Sequence, residues 1–217
     1  MTYLRLIKRK ERWTLTIIGW FILIFSAIIF ITLAIISAYP FLAIKQPVKA
    51  DILVVEGWLP DYAIEKAIEE FKKRNYRTMV TIGGPIERGF HLSKYKTYAE
   101  LAGATLKRLG MNEASIAVVP TSRVKKDRTY ASALALKNWI HKSSLTTKSL
   151  NIYSLGPHAR RSRLLFNKAF DYGIEIGVLN TDDLDYDPNN WWKTSNGVRS
   201  VIDEIIAYCY ARFFFYG

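Results

Sequence analysis

Asp51-Ile52-Leu53-Val54-Val55-Glu56-Gly57 decides how the rest of the chain is read. Four apolar residues in a row, closed by a carboxylate and a glycine, fit a strand buried on both faces of a parallel sheet. Working outward, residues 60–75 set Ala63, Ile64, Ala67, Ile68 and Phe71 at helical spacing. A second strand over 78–82 stops at Gly83-Gly84-Pro85, and a helix is predicted over 97–109. Strands over 115–119, 150–155 and 174–179 then alternate with helices over 127–141 and 157–170. Residues 182–192 are acidic and irregular. A last helix over 194–212 carries a stripe of Val198, Val201, Ile202, Ile205, Ile206 and Cys209. Five strands alternating with helices predict an α/β fold: a three-layer, doubly wound, mostly parallel, Rossmann-like sheet. Such sheets bind ligands beyond the carboxyl ends of their strands.

In front of this domain lies a different kind of sequence. Residues 14–38 contain no charged side chain. At about 1.5 Å per residue a helix of that length reaches roughly 38 Å, enough to cross a hydrocarbon core of about 30 Å with some tilt. A cleavable signal peptide usually has a shorter apolar region of about 7–15 residues and a small-residue cleavage site, and Tyr39-Pro40-Phe41-Leu42 is a poor one. The expected organisation is a basic segment over 1–13, a transmembrane helix over 14–38, a linker over 39–48 and the α/β domain over 49–217. Arg5, Lys8, Arg9, Lys10 and Arg12 face only Glu11 before the apolar run, whereas 39–47 carries only Lys45. That asymmetry predicts a cytoplasmic N-terminus and a domain outside the plasma membrane.

The chain has 31 Lys and Arg against 19 Asp and Glu, a net +12, and most of that excess lies in the domain. A basic surface suits phosphorylated ligands or anionic lipid headgroups. Nucleic acid is not expected, because no zinc spacing or RNA-binding aromatic motif is present. One cysteine, Cys209, excludes an internal disulfide, and its place in the last helix predicts a buried structural thiol. No metal is expected, since His91, His141 and His158 show no ligand spacing. The cofactor is unknown. Gly-x-Gly-x-x-Gly is absent, and the second strand ends in glycines instead of the acid that commonly holds a ribose.

Four strand ends supply the candidate site. Glu56 and Gly57 set a carboxylate beside a flexible residue. Gly83 and Gly84 offer backbone N–H groups that an anion can approach closely. Ser122 leads to Asp127, Arg128 and Thr129 at a helix start, where Asp127 is either a ligand group or a helix cap. Pro157 opens a helix on which His158 and Arg161, three apart, share a face. Free N–H groups at helix starts attract anions. The catalytic candidates are His158, Asp127 and Glu56, with Gly57, Gly83, Gly84, Ser122, Arg128, Thr129 and Arg161 binding the ligand. Glu100 reads as a solvated helix face. Trp191-Trp192 and the tail Phe213-Phe214-Phe215-Tyr216 read as packing on the domain, although aromatics also partition to membrane interfaces.

The run Ala50 to Gly57, then Gly83-Gly84, Glu100, Ser122 with Asp127-Arg128-Thr129-Tyr130-Ala131, and His158-Ala159-Arg160-Arg161 resembles the YdcF/SanA/ElyC family over about 50–179, with a weaker match around Glu204. That resemblance implies a Rossmann-like domain, often behind one transmembrane helix, linked to cell-envelope biogenesis without an agreed reaction. The chain departs from the family where Arg128 and Ser132 replace two Asn of the helix-opening pattern. It also has Glu56-Gly57 where Gly-Gly is usual, and Ser154-Leu155-Gly156-Pro157 in place of the Ser/Thr-rich turn before His158. Two functions follow as expectations. One is an envelope protein binding or acting on a nucleotide-like, sugar-phosphate or polyprenyl-phosphate group, with His158 as general acid or base. The other is a non-catalytic assembly factor docking a protein partner.

Overall fold

A computed structural model describes residues 13–143 and 147–216. The basic residues from Arg5 to Arg12 lie outside the described residues. The chain divides into two units, Met1–Ser37 and Ala38–Gly217.

The first unit holds most of α1 (Ile17–Leu42), a helix of 26 residues with no charged side chain. With a mean hydropathy of 2.8, it is long and apolar enough to span a membrane.

The second unit contains β1 (Ile52–Glu56), α2 (Asp61–Lys73), β2 (Thr78–Gly83), α3 (Tyr98–Arg108), β3 (Ile116–Pro120), α4 (Arg128–Lys142), β4 (Ser149–Leu155), α5 (His158–Ala169), β5 (Glu175–Thr181) and α6 (Ser195–Phe213). The five strands form one wholly parallel sheet in the order β3-β2-β1-β4-β5. Ile52, Val54, Leu150 and Ile152 face a core shared with Ala133, Leu136 and Phe166 of α4 and α5. Leu53, Val55 and Tyr153 face the other core, with Ala63, Ala67, Ala102 and Leu106 of α2 and α3. Strand periodicity of two thus sorts each strand between two helical layers. The chain leaves β1 toward β2 and later returns to pair β4 on the other side. The strand order therefore reverses between β1 and β4, the place where open α/β sheets form a ligand crevice.

Residues 39–48, expected to be a linker, are built into the domain instead. Tyr39 and Leu42 are buried, and the Tyr39 hydroxyl donates to Asp182 Oδ1 at 2.8 Å. Gln46 pairs antiparallel with Val178 of β5, and Asn151 Nδ2 donates to the Val48 carbonyl at 2.7 Å. These polar partners lie over 100 residues away in sequence, so no local pattern announces them.

Three further expectations change. Cys209 is exposed, not buried. The stripe of α6 splits, with Val201 fully buried while Ile202 and Ile206 are 41% and 63% exposed. The inner face of α6 instead runs Gly197, Val201, Glu204 and Ala211, so a charged residue holds a position that an apolar-stripe reading passes over. In the tail Phe215 packs edge-on against Tyr130 at 4.9 Å beneath the Lys168 ammonium, but Phe213, Phe214 and Tyr216 are exposed. The acidic segment holds a short 3-10 helix, Pro188–Lys193, in which Trp191 is buried.

Candidate functional site

The carboxyl end of β1 carries Glu56, buried to 3% exposure. Its position follows from register. Val55 pairs with Tyr153, so one residue on Glu56 lies beside Ser154, and both point to the α5 side with Val54 and Ile152. Ser154 Oγ donates to Glu56 Oε2 at 2.5 Å, and Ser162 Oγ of α5 donates to Oε1 at 2.8 Å. A carboxylate taken out of water needs such donors.

His158 opens α5 with Nε2 only 3.6 Å from Glu56 Oε1, just beyond hydrogen-bonding range. Its Nδ1 donates to Glu204 Oε1 of α6 at 2.7 Å. Arg161, one turn along α5, grips the same carboxylate with two prongs, Nε to Oε2 and Nη2 to Oε1, each 2.8 Å. The ring edge of Trp58 covers His158, 5.0 Å away at 81°. Two cations and two carboxylates thus alternate through the crevice, tying β1 to α5 and α5 to α6.

The charges set one another's protonation. Burial pulls the His158 pKa down, but the charges of Glu56 and Glu204 outweigh it and raise it to about 9. The imidazole is therefore a cation at neutral pH, in the first turn of a helix whose dipole disfavours one. Burial pushes Glu204 up, and His158 with Arg161 reverses that, holding it far below the usual carboxylate range. Glu56 is also lowered, despite a desolvation that acts the other way, by the His158 charge and the two serine hydroxyls. His158 Nε2 is buried without a hydrogen-bond partner among the described residues. A small shift of the ring would let it donate to Glu56 or to a group entering the cleft.

A cleft of about 990 Å³ opens beside this cluster. Glu56, Gly83, Gly84, Ser122, Asp127, Arg128, Thr129, His158 and Arg161 all line it, so nine of the ten residues singled out in the sequence meet at one rim. Gly57 does not. A Cβ there would sit 2.5 Å from the Tyr98 carbonyl oxygen, so Gly57 lets the start of α3 approach the sheet and is a packing residue. At Gly84 an added Cβ would meet only the Thr121 carbonyl at 3.9 Å, so the cleft is open at that point. Asp127 sits before α4 at φ 56° and ψ 41°, and its side chain makes no cap hydrogen bond. This left-handed conformation is tolerated by Asp but uncommon. Asp127 does not contact His158, whose carboxylate partners are Glu56 and Glu204. Arg128 pairs with Glu87 at the exposed rim. Glu100 serves α3, its Oε2 accepting the N–H groups of Lys96 and Thr97 in a capping box.

Arg123, Lys125 and Lys126 line the same cleft, are exposed, and form no ion pair among the described residues. Ser154, Ser162 and this cationic run were missed by the sequence reading, and Glu204 entered only through a resemblance. An acid on the inner face of α6, in register with Val201 and Ala211, was the signal for Glu204. The spacing of Ser162 four residues after His158 was another.

Fold and cleft define a doubly wound α/β domain with a cation-rimmed crevice at its switch point. Compared with models of known protein families and with curated protein sequences, the chain matches none.

Proposed function

We propose that the chain is a membrane-anchored protein of the cell envelope, related to the YdcF/SanA/ElyC family, whose domain binds or acts on a phosphorylated ligand. The observation that carries this reading is the run Arg123, Lys125 and Lys126, without an ion pair among the described residues, at the β3 end of a cleft that passes the open backbone at Gly84 and extends to Glu56 and His158 at the reversal of strand order. Unneutralised cations beside a backbone that an anion can approach closely are what a phosphate dianion requires. On this reading α1 stays in the plasma membrane, the basic N-terminus is cytoplasmic and the domain extracytoplasmic, following the Lys/Arg bias. His158, protonated at neutral pH, is suited to donate a proton or a charged hydrogen bond to a phosphate oxygen, with Glu56 and Glu204 holding the ring.

The test is calorimetric binding by the full chain in detergent against inorganic phosphate, a nucleoside diphosphate, a sugar phosphate and a polyprenyl phosphate. Binding of at least one is expected, lost by ten-fold or more when Arg123, Lys125 and Lys126 are all changed to Ala. No binding by any member of the panel sinks the reading.

One observation favours a non-catalytic assembly factor instead. Every charge in the His158 cluster already has an opposite neighbour, as a purely architectural network would. Capture of a stable protein partner that survives His158→Ala, with no phosphate binding, is the outcome this second reading expects.

A further inference from the structure

We infer that the outer face of α6 lies in the interfacial layer of a lipid bilayer, giving the chain a second membrane contact besides its N-terminal helix. α6 already buries one face in the domain through Gly197, Val201 and Ala211. At about 100° per residue, Val198, Ile202, Ile206, Cys209 and Phe213 fall within a separate sector of about 80° that runs the length of the helix. That sector is in water: Ile206 is 63% and Phe213 64% exposed, and Cys209 between them is exposed too. A solvated helix face does not ordinarily repeat apolar residues over four turns.

Three observations choose a bilayer as the occupant. Arg199 and Arg212 fall on the two borders of the sector, as cations do when a helix lies flat with its stripe in the acyl boundary and its guanidinium groups at the phosphates. The stripe ends in the exposed aromatics Phe213, Phe214 and Tyr216, the residue types that settle at membrane–water interfaces. Phe41, one residue from the end of the membrane-spanning-length helix α1 and part of the α/β unit, packs edge-on against Tyr208 of α6 at 5.5 Å, with the Arg160 guanidinium 4.1 Å above its ring. The chain therefore enters the domain beside α6. A helix tethered next to a bilayer needs only a weak intrinsic affinity to stay on it.

Cys209, the chain's one cysteine, lies inside the stripe and serves as a reporter. The full chain, labelled there with an environment-sensitive fluorophore, is reconstituted into vesicles of phosphatidylcholine with or without phosphatidylglycerol. The expected result is blue-shifted emission, quenching by brominated acyl chains and protection from aqueous iodide, all stronger with the anionic lipid. Ile206→Asp with Phe213→Asp should restore iodide quenching at least two-fold without moving the thermal midpoint, since both side chains are mostly in water and neither lines the cleft. Full iodide quenching with no effect of the brominated lipid overturns the inference. So does energy transfer between labelled copies that rises with protein density while the lipid quencher has no effect, which assigns the stripe to a second copy. Neither outcome bears on phosphate binding at the cleft.

Discussion

His158 and Arg161 at the β4 end of the cleft, and Arg123, Lys125 and Lys126 at the β3 end, carry the same sign of charge in opposite circumstances. The first pair is largely buried and locked to Glu56 and Glu204. The second group is exposed and unpaired among the described residues. Cations locked to carboxylates contribute to the architecture of the crevice, and their charge is mostly spent on neighbours. Cations left unpaired cost the fold little and keep their field for whatever enters. The pair that stands out in the sequence is therefore the one less free to bind an anion.

The largest effect that would break this contrast is on stability. Glu204→Ala removes the carboxylate that takes three contacts at 2.7 to 2.8 Å from His158 and Arg161, leaving two largely buried cations without it. Breaking a buried pair from one side costs about 3–5 kcal/mol. Denaturant unfolding of the full chain in detergent should show a loss in that range, and a loss under about 1 kcal/mol would mean that the network is idle.

The pH dependence is next in size. His158 has a folded pKa of about 9, above its ordinary value of 6.5. A group raised in this way contributes stability that is fully present below pH 6.5 and fades as pH climbs through 9. The amount is on the order of 3 kcal/mol at a linkage of about 1.36 kcal/mol per pH unit. Glu204, lowered in the fold, contributes in the other direction, with stability present above its ordinary pKa near 4.5 and lost as pH falls. Unfolding free energy should therefore peak between about pH 4.5 and 6.5 and decline toward pH 9. In His158→Gln the alkaline decline should vanish. An identical slope in both proteins would place the titrating group elsewhere.

How much of this was legible in the sequence follows the same divide between local and distant partners. Each strand announced itself by an apolar run, and the glycines and helix starts marked the carboxyl rim, because those signals reside in the residues themselves. The fold class and the meeting of Glu56, Gly84, Asp127 and His158 at one cleft follow from them. Pairing partners were not legible. Glu204 lies 46 residues from His158 and Ser154 lies 98 from Glu56, so only the three-dimensional register brings them together. Residues 39–48 failed for the same reason. Their Pro40 and Pro47 look like a linker, while what holds them, Asn151, Val178 and Asp182, sits over 100 residues on.

The smallest effect on stability belongs to the unpaired group, and it sharpens the comparison most. Arg123, Lys125 and Lys126 are exposed and bonded to nothing described, so alanine at each should change unfolding free energy by no more than about 0.5 kcal/mol. If these side chains supply the field over the cleft, the three alanines together should leave Tm and the pH profile intact. They should nevertheless weaken binding of the tightest phosphorylated probe and flatten its dependence on salt. Ionic strength is the informative variable, because exposed charges are screened over a Debye length of about 8 Å at 0.15 M salt while a buried pair is screened much less. Raising salt should mimic the triple alanine and leave the His158 contribution to stability in place. Salt-insensitive binding that survives the triple alanine but is lost in Arg161→Ala would reverse the assignment, moving the anion to the buried pair and requiring Glu204 to release Arg161 when the ligand enters.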